Sequence, residues 1–157
     1  MRIGVVGDIH GNLGGLERAV RAMGPIDRLL FTGDGYREIA RSKCCSEVLV
    51  KGVVGNCDFY SEYPVEEFFQ LESYQVMLTH GHRYGVKHGL TTIGLAGREK
   101  GADLVVFGHT HLPLNAEWEG IRLFNPGTLC PERAYQGVTY GIITIDQKGL
   151  TLFHERI

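Results

Sequence analysis

The stretch "LVVFGHTHLP", residues 104–113, decides how the rest of the chain is read. Its first four residues form a short apolar run of the kind presented by a strand buried on both faces. The run meets a glycine, and two histidines then stand one residue apart. A turn after a buried strand has no structural need for His109 and His111. Working outward, the same design repeats. Residues 3–6 run into "GDIHGN", 29–31 into "TGDG", 48–54 into "GNCD", 74–78 into "THGH" and 121–124 into "NPGT". Strand after strand is predicted to end in a short polar cluster opened by glycine or histidine.

Helical patterns lie between the early strands. Leu13, Leu16, Ala19, Val20 and Met23 fall near helical spacing, so a helix is predicted over 12–23. Asn12 is its N-cap and Gly24–Pro25 its stop. A second helix is predicted over 90–100, stopped by Gly101, and a short one around 37–42 has a weaker pattern. Residues 68–71 and 74–78 read as strands joined by "ES", and the tail reads as a hairpin around "QKG". Early strands alternate with helices and later ones follow one another, which predicts a layered α/β (α+β) protein with a mixed sheet or two packed sheets. With no repeat or linker, residues 1–157 are expected to be a single domain. In open α/β sheets, sites assemble beyond the carboxyl ends of strands, so the polar clusters should converge.

The totals fit a soluble protein with its own core. A chain of 157 residues buries enough surface to need no staples. A net charge of −2, with no basic patch or tail, excludes general nucleic-acid binding. "MRIGVVGDIH" lacks the apolar segment and cleavage site of a secretory signal. No run approaches the roughly 18 apolar residues of a membrane span, so no membrane role and a cytoplasmic location are expected. Cys44 and Cys45 are adjacent, Cys57 and Cys130 stand alone, and no CxxC spacing occurs; reduced thiols and no structural zinc site are expected.

Taken singly, each cluster is weak, because a Gly-Asp after a strand is most often a turn whose aspartate bonds its own backbone. The set is stronger. Asp8, His10, Asp34, Asn56, His80, His109 and His111 all follow predicted strands. Imidazole nitrogen and carboxylate oxygen suit borderline divalent ions such as Mn²⁺, Fe²⁺, Co²⁺, Ni²⁺ or Zn²⁺. The candidates exceed the four ligands of a structural zinc and suit two metals sharing a carboxylate.

The order D-x-H, GD, GN, a later histidine and GHTH resembles the calcineurin-like metallophosphoesterase superfamily. "GDIHGN", "GNCD", "THGH", "GHTH" and "NPGT" are similar to its small bacterial and archaeal phosphodiesterases, over residues 4 to about 133. The resemblance implies a β-sandwich of two mixed sheets flanked by helices, in four layers. It implies two divalent metal ions, manganese first among the borderline set. Asp8, His10 and His111 would hold one ion; Asn56, His80 and His109 the other; Asp34 would bridge both. The two histidines of the opening stretch would each serve a different ion. The implied activity is hydrolysis of a small phosphodiester by in-line attack of a hydroxide bridging the two metals. Two aspartates and one hydroxide leave such a site net positive, so it would attract a phosphodiester anion without a surface basic patch.

One position departs from the superfamily. Most relatives read "GNH", and that histidine is held to protonate the leaving group; here Cys57 stands there, followed by Asp58. A thiol of ordinary pKa about 8.5 is a poor substitute for imidazolium. Leaving-group protonation is therefore expected to be weak, or to move to His82 or a metal-bound water. Asp34, Asn56, Cys57, Asp58 and His82 form the candidate catalytic set. Cys57 equally fits a small thiol filling space beside the site, and His82 either orients His80 or touches substrate. Gly33, Gly55, Gly108 and Gly127 are expected to allow tight turns or close backbone approach. Glu132 separates Pro131 from Arg133 where close relatives have a Pro-Arg pair, so no substrate role is assigned to Arg133. His88 and His154 are expected at the surface, and Trp118 in a loop or strand. Two rival functions share the resemblance: a phosphomonoesterase acting on nucleotides or proteins, and an interaction scaffold such as the superfamily's retromer subunit. An edge strand or the C-terminal hairpin leaves room for a homo-oligomer.

Overall fold

The computed structural model describes residues 1–59 and 61–157. Two five-stranded mixed sheets pack face to face. The first is built on parallel strands β1 (Arg2–Val6), β2 (Arg28–Phe31) and β3 (Val50–Gly52), extended beyond β1 by the antiparallel hairpin β9 (Thr139–Asp146) and β10 (Gly149–Arg156). The second is built on parallel β5 (Tyr74–Thr79), β6 (Leu104–Val106) and β8 (Ile121–Pro126). Antiparallel β4 (Glu66–Leu71) and β7 (Pro113–Trp118) form its edges. Between the sheets, Ile3, Val5 and Leu30 of one meet Val76, Leu78, Val106 and Phe124 of the other, all excluded from solvent. Apart from Leu30 and Leu78, these are β-branched or aromatic side chains, which fit two packed pleated faces.

Helices α1 (Leu13–Met23), α2 (Tyr36–Arg41) and α3 (Lys43–Ser46) cover the first sheet, and α4 (Thr91–Glu99) covers the second. The expected sandwich of two mixed sheets flanked by helices is what the chain adopts. Among the described residues, no helix is long and apolar enough to cross a membrane. The four cysteines are free thiols. Helix α1 buries Leu16, Ala19, Val20 and Met23 on one stripe. Asn12 caps it by accepting from the Gly15 N–H at 2.9 Å, while its amide donates to the Leu129 carbonyl at 2.7 Å. One side chain thus starts the helix and ties it to the loop after β8.

Some elements differ from expectation. The strand predicted over 48–54 is only Val50–Gly52, because the Val54 N–H leaves the sheet for the Pro64 carbonyl. Helix α3 and strand β7 carry no clear sequence signal. Strand β7 opens on a proline, which an edge strand tolerates at its first residue. Its Trp118 packs against α4 where Gly94 has no side chain. His88 is exposed, but His154 is not a surface residue. It is half-buried on β10, stacked on Phe124 with ring centroids 4.7 Å apart, and its Nε2 lies 2.7 Å from the Asn125 carbonyl oxygen. Strand β10 turns that face toward the second sheet, which the isolated sequence of the hairpin does not reveal.

Candidate metal centre

The six parallel strands send their carboxyl-end loops to one rim of the sandwich, where bonds cross between sheets. The Thr128 hydroxyl donates to the Asp8 carbonyl at 2.7 Å, and the His109 N–H donates to Asp8 Oδ2 at 2.8 Å. All seven candidate ligands converge there. Asp8 Oδ1 lies 3.1 Å from His111 Nε2, which lies 3.2 Å from His10 Nε2. His10 Nε2 is 3.7 Å from both Asp8 Oδ1 and Asp34 Oδ2. On the other side of Asp34, its Oδ2 is 3.5 Å from His80 Nε2. That nitrogen is 3.1 Å from Asn56 Oδ1 and 3.1 Å from His109 Nδ1. Asp34 therefore stands between two groups of donors.

The polar atoms of this cluster fit a cation. His80 Nδ1 sits 2.8 Å from the Thr32 carbonyl, which only accepts, so Nδ1 carries the proton and Nε2 the lone pair. That lone pair faces a second imidazole nitrogen, an amide oxygen and a carboxylate oxygen. Asp8 Oδ1 is fully buried and has no hydrogen-bond partner among the described residues. A buried acceptor left so costs about 1–3 kcal/mol or more when charged, and a divalent ion removes that cost. The nitrogen and oxygen donors suit the borderline ions.

Electrostatics point the same way. Burial pushes the Asp8 carboxyl up, but His10 and His111 beside it outweigh burial and hold it down at about 2. Burial, reinforced by His80 and Lys87, lowers His109 to about 4, so its imidazole is neutral and able to ligate at neutral pH. Burial and the neighbouring His80 also lower His82. Burial, then Asp34, raises the Cys57 thiol.

The backbone is held under strain. Asp8, His10, Asp34, His109 and His111 all have positive φ, between 45° and 70°. Such conformations cost about 1–3 kcal/mol each and persist where surroundings impose them. Close approach imposes them here. A Cβ on Gly33 would lie 2.6 Å from the Gly55 nitrogen and 2.8 Å from His80 Nδ1, and one on Gly55 would fall on the Asp34 carboxylate.

The remaining sequence candidates occupy distinct places. Asp58 spends both oxygens on backbone N–H groups of Asp34, Gly35, Tyr36 and Gly55, and so locks the second and third loops together. Cys57 is exposed beside the centre; its N–H donates to Asp34 Oδ1 at 2.7 Å and its sulfur takes the Asn56 amide at 3.3 Å. The hydrogen bond to His80 Nδ1 is held by the Thr32 carbonyl, while His82 packs with ring centroids 5.3 Å from His80 and 6.0 Å from His109. Arg133, given no role from sequence, brings its guanidinium within 3.4 Å of His10 Nε2. Asn125, the first residue of "NPGT", carries no signal in sequence for the task it performs. Its amide donates to the Gly108 carbonyl at 2.8 Å and to the Thr110 hydroxyl at 3.1 Å, and so braces the loop that carries His109 and His111. A cavity of about 350 Å³ opens beside the centre and shares His10, Asp34 and Cys57 with it.

Comparison with known proteins agrees with this geometry. The profile of the calcineurin-like phosphoesterase superfamily domain matches residues 1–148. The chain is 29% identical over 153 residues to the probable metallophosphoesterase YsnB of Bacillus subtilis (strain 168), covering 97% of this chain and 89% of that one. It is 29% identical over 170 aligned positions to phosphodiesterase YfcE of Escherichia coli (strain K12), covering 93% and 89%. In fold it is similar to Vps29 from Entamoeba histolytica, solved in complex with zinc, with a TM-score of 0.79 at 20% identity over 100% of this chain and 98% of that one. With a profile match running from the first strand into the C-terminal hairpin, the chain belongs to the calcineurin-like phosphoesterase superfamily.

Proposed function

We propose that residues 1–157 form one domain that hydrolyses a small phosphodiester with two divalent ions, manganese first among them. Asp8, His10 and His111 would hold one ion, Asn56, His80 and His109 would hold the other, and Asp34, between the two groups, would serve both. The observation that carries this reading is the lone pair of His80 Nε2. It faces Asn56 Oδ1 and His109 Nδ1, each at 3.1 Å, with its only proton already committed to the Thr32 carbonyl. When bound, the ions would supply Lewis acidity toward the phosphoryl oxygens and would activate water as a nucleophile.

The chain's own groups set the rest. The Thr32 carbonyl fixes the His80 tautomer. Asp58 fixes the loops that carry Asp34 and Asn56. Cys57, with its thiol raised by burial beside Asp34, presents a neutral S–H that is a weak proton donor to a leaving alkoxide. His82, lowered by burial, is neutral at pH 7 and does not replace it. The enzyme therefore favours diesters with good leaving groups.

The test is hydrolysis of bis-p-nitrophenyl phosphate beside p-nitrophenyl phosphate by chelated protein given back Mn²⁺, with Asp34→Asn as blank. Diester turnover that needs both metal and Asp34 is expected. Turnover mainly of the monoester would make the protein a phosphomonoesterase. The likeness in fold to Vps29 favours one other reading, a metal-binding interaction scaffold. Bound metal with no turnover of either ester would establish that reading instead.

A further inference from the structure

The cavity beside the centre is continuous with it through His10, Asp34 and Cys57, and Tyr36, Arg37 and Phe59 complete its wall. A phosphorus atom held at the centre therefore directs one ester arm into this space. The volume, about 350 Å³, lies at the small end of ligand pockets and suits a compact arm. Phe59 follows the GNCD loop directly and is 69% exposed, a large ring left in water with no folding benefit. Two residues close in sequence to groups of the centre are exposed as well. Leu112, next to His111, is 39% exposed, and Tyr135, two residues past Arg133, is 89% exposed.

Among the polar groups that line the cavity, Asp58 is already engaged. Asp58 spends its oxygens on four backbone N–H groups. Arg37 and Glu38 place one cation and one anion at the same wall, so a second charged group gains no net attraction there. Beside this opposed pair the wall offers an aromatic face. We infer that this cavity is a subsite for an uncharged aromatic ring carried on one ester arm of the substrate, with Phe59 as the stacking face. The inference rests on the phosphodiesterase reading, since a phosphorus atom at the centre places the arm.

The test is calorimetric binding of phosphonates, which resist hydrolysis, to the metal-loaded protein. Methyl-, hexyl- and phenylphosphonate and a nucleoside 5′-phosphonate are titrated into wild type, Phe59→Ala and Phe59→Trp. At least one aromatic probe is expected to bind about tenfold tighter than methylphosphonate, in line with stacking on an aromatic side chain. Phe59→Ala should lose that gain and Phe59→Trp keep it. Whichever aromatic probe gains shows whether the ring sits close to phosphorus or beyond a sugar. Aromatic probes no tighter than methylphosphonate, a hexyl probe equal to them, or a gain that survives Phe59→Ala would overturn the subsite. Methylphosphonate binding that disappears in Asp34→Asn checks separately that phosphorus is held at the centre, and the diester and monoester assay above checks the phosphodiesterase reading. If no phosphonate binds, that reading falls and the subsite with it.

Discussion

Replacing Asp58 by alanine should loosen the centre without touching any candidate ligand. The carboxylate accepts N–H bonds from Asp34 at 2.7 Å and from Gly35, Tyr36 and Gly55 at 2.9 Å each. A hydrogen bond to a charged group contributes about 1.5–3 kcal/mol, so four independent bonds would sum to about 6–12 kcal/mol. That sum is an upper bound, because Asp58 is half-buried and water can enter beside Tyr36. Asp34, Gly35 and Gly55 are buried, so their N–H groups are not readily rehydrated. The expected loss is therefore about 3–4 kcal/mol, which is large for one residue. Asp58→Asn keeps one acceptor oxygen but turns an NH₂ toward the remaining donors, and should lose about 2 kcal/mol. Urea unfolding of the metal-free protein measures both, as a lower midpoint with unchanged slope. Manganese affinity, read by calorimetry, should fall as well, because Asp34 and Asn56 lose their fixed spacing. An alanine variant within about 1 kcal/mol of wild type would show that water replaces the cap. Full destabilisation with unchanged manganese affinity would show that Asp58 serves the fold and not the centre.

Acid should weaken the metal-free fold in two stages. His109 is lowered to about 4, so between that value and the ordinary histidine range of about 6.5 the unfolded chain binds more protons than the folded one. Stability from this group is complete above the upper limit and is lost as pH falls through the window; Asp8, held at about 2, extends the loss further into acid. Urea midpoints flat across that range would refute this. Manganese should raise the unfolding temperature of wild type in proportion to the logarithm of its concentration, by ligand linkage, and Asp34→Asn should remove most of the shift. Cys57→His should speed unactivated alkyl diesters more than p-nitrophenyl diesters, because only the former need a proton on the leaving oxygen. Equal changes for both would place leaving-group protonation elsewhere.

Much of the architecture was legible because burial leaves a strong trace. The runs at 3–6, 29–31, 74–78 and 104–107 are parallel strands covered on both faces, and their sequences are nearly uninterrupted apolar residues. Strand β7 was missed for the opposite reason. As an edge strand its burial alternates, and it begins on a proline. The candidate ligands were legible as residue types in repeated positions, but their supports were not. The Thr32 carbonyl that fixes His80 is a backbone group, and any residue supplies one. The Asn125 amide that braces the GHTH loop acts across 17 residues of sequence. Arg133 reaches His10 through the short helix Pro131–Arg133, which no apolar period announces.

The backbone adds a reason for the amino acids themselves. Among the described residues, of the non-glycine ones with positive φ, Glu72 and Glu119 lie at the tips of the β4–β5 and β7–β8 hairpins, and the other five are candidate ligands. Aspartate, asparagine and histidine are among the side chains that best tolerate this region, and aspartate and histidine are also good ligands for borderline ions. All five lie within the short loops that follow the buried strands β1, β2 and β6. A lone "GD" or "GH" therefore looks like ordinary turn chemistry in sequence, because locally it is a turn. Only the meeting of such turns from two sheets, with Asp34 between the donors of each, makes them a centre.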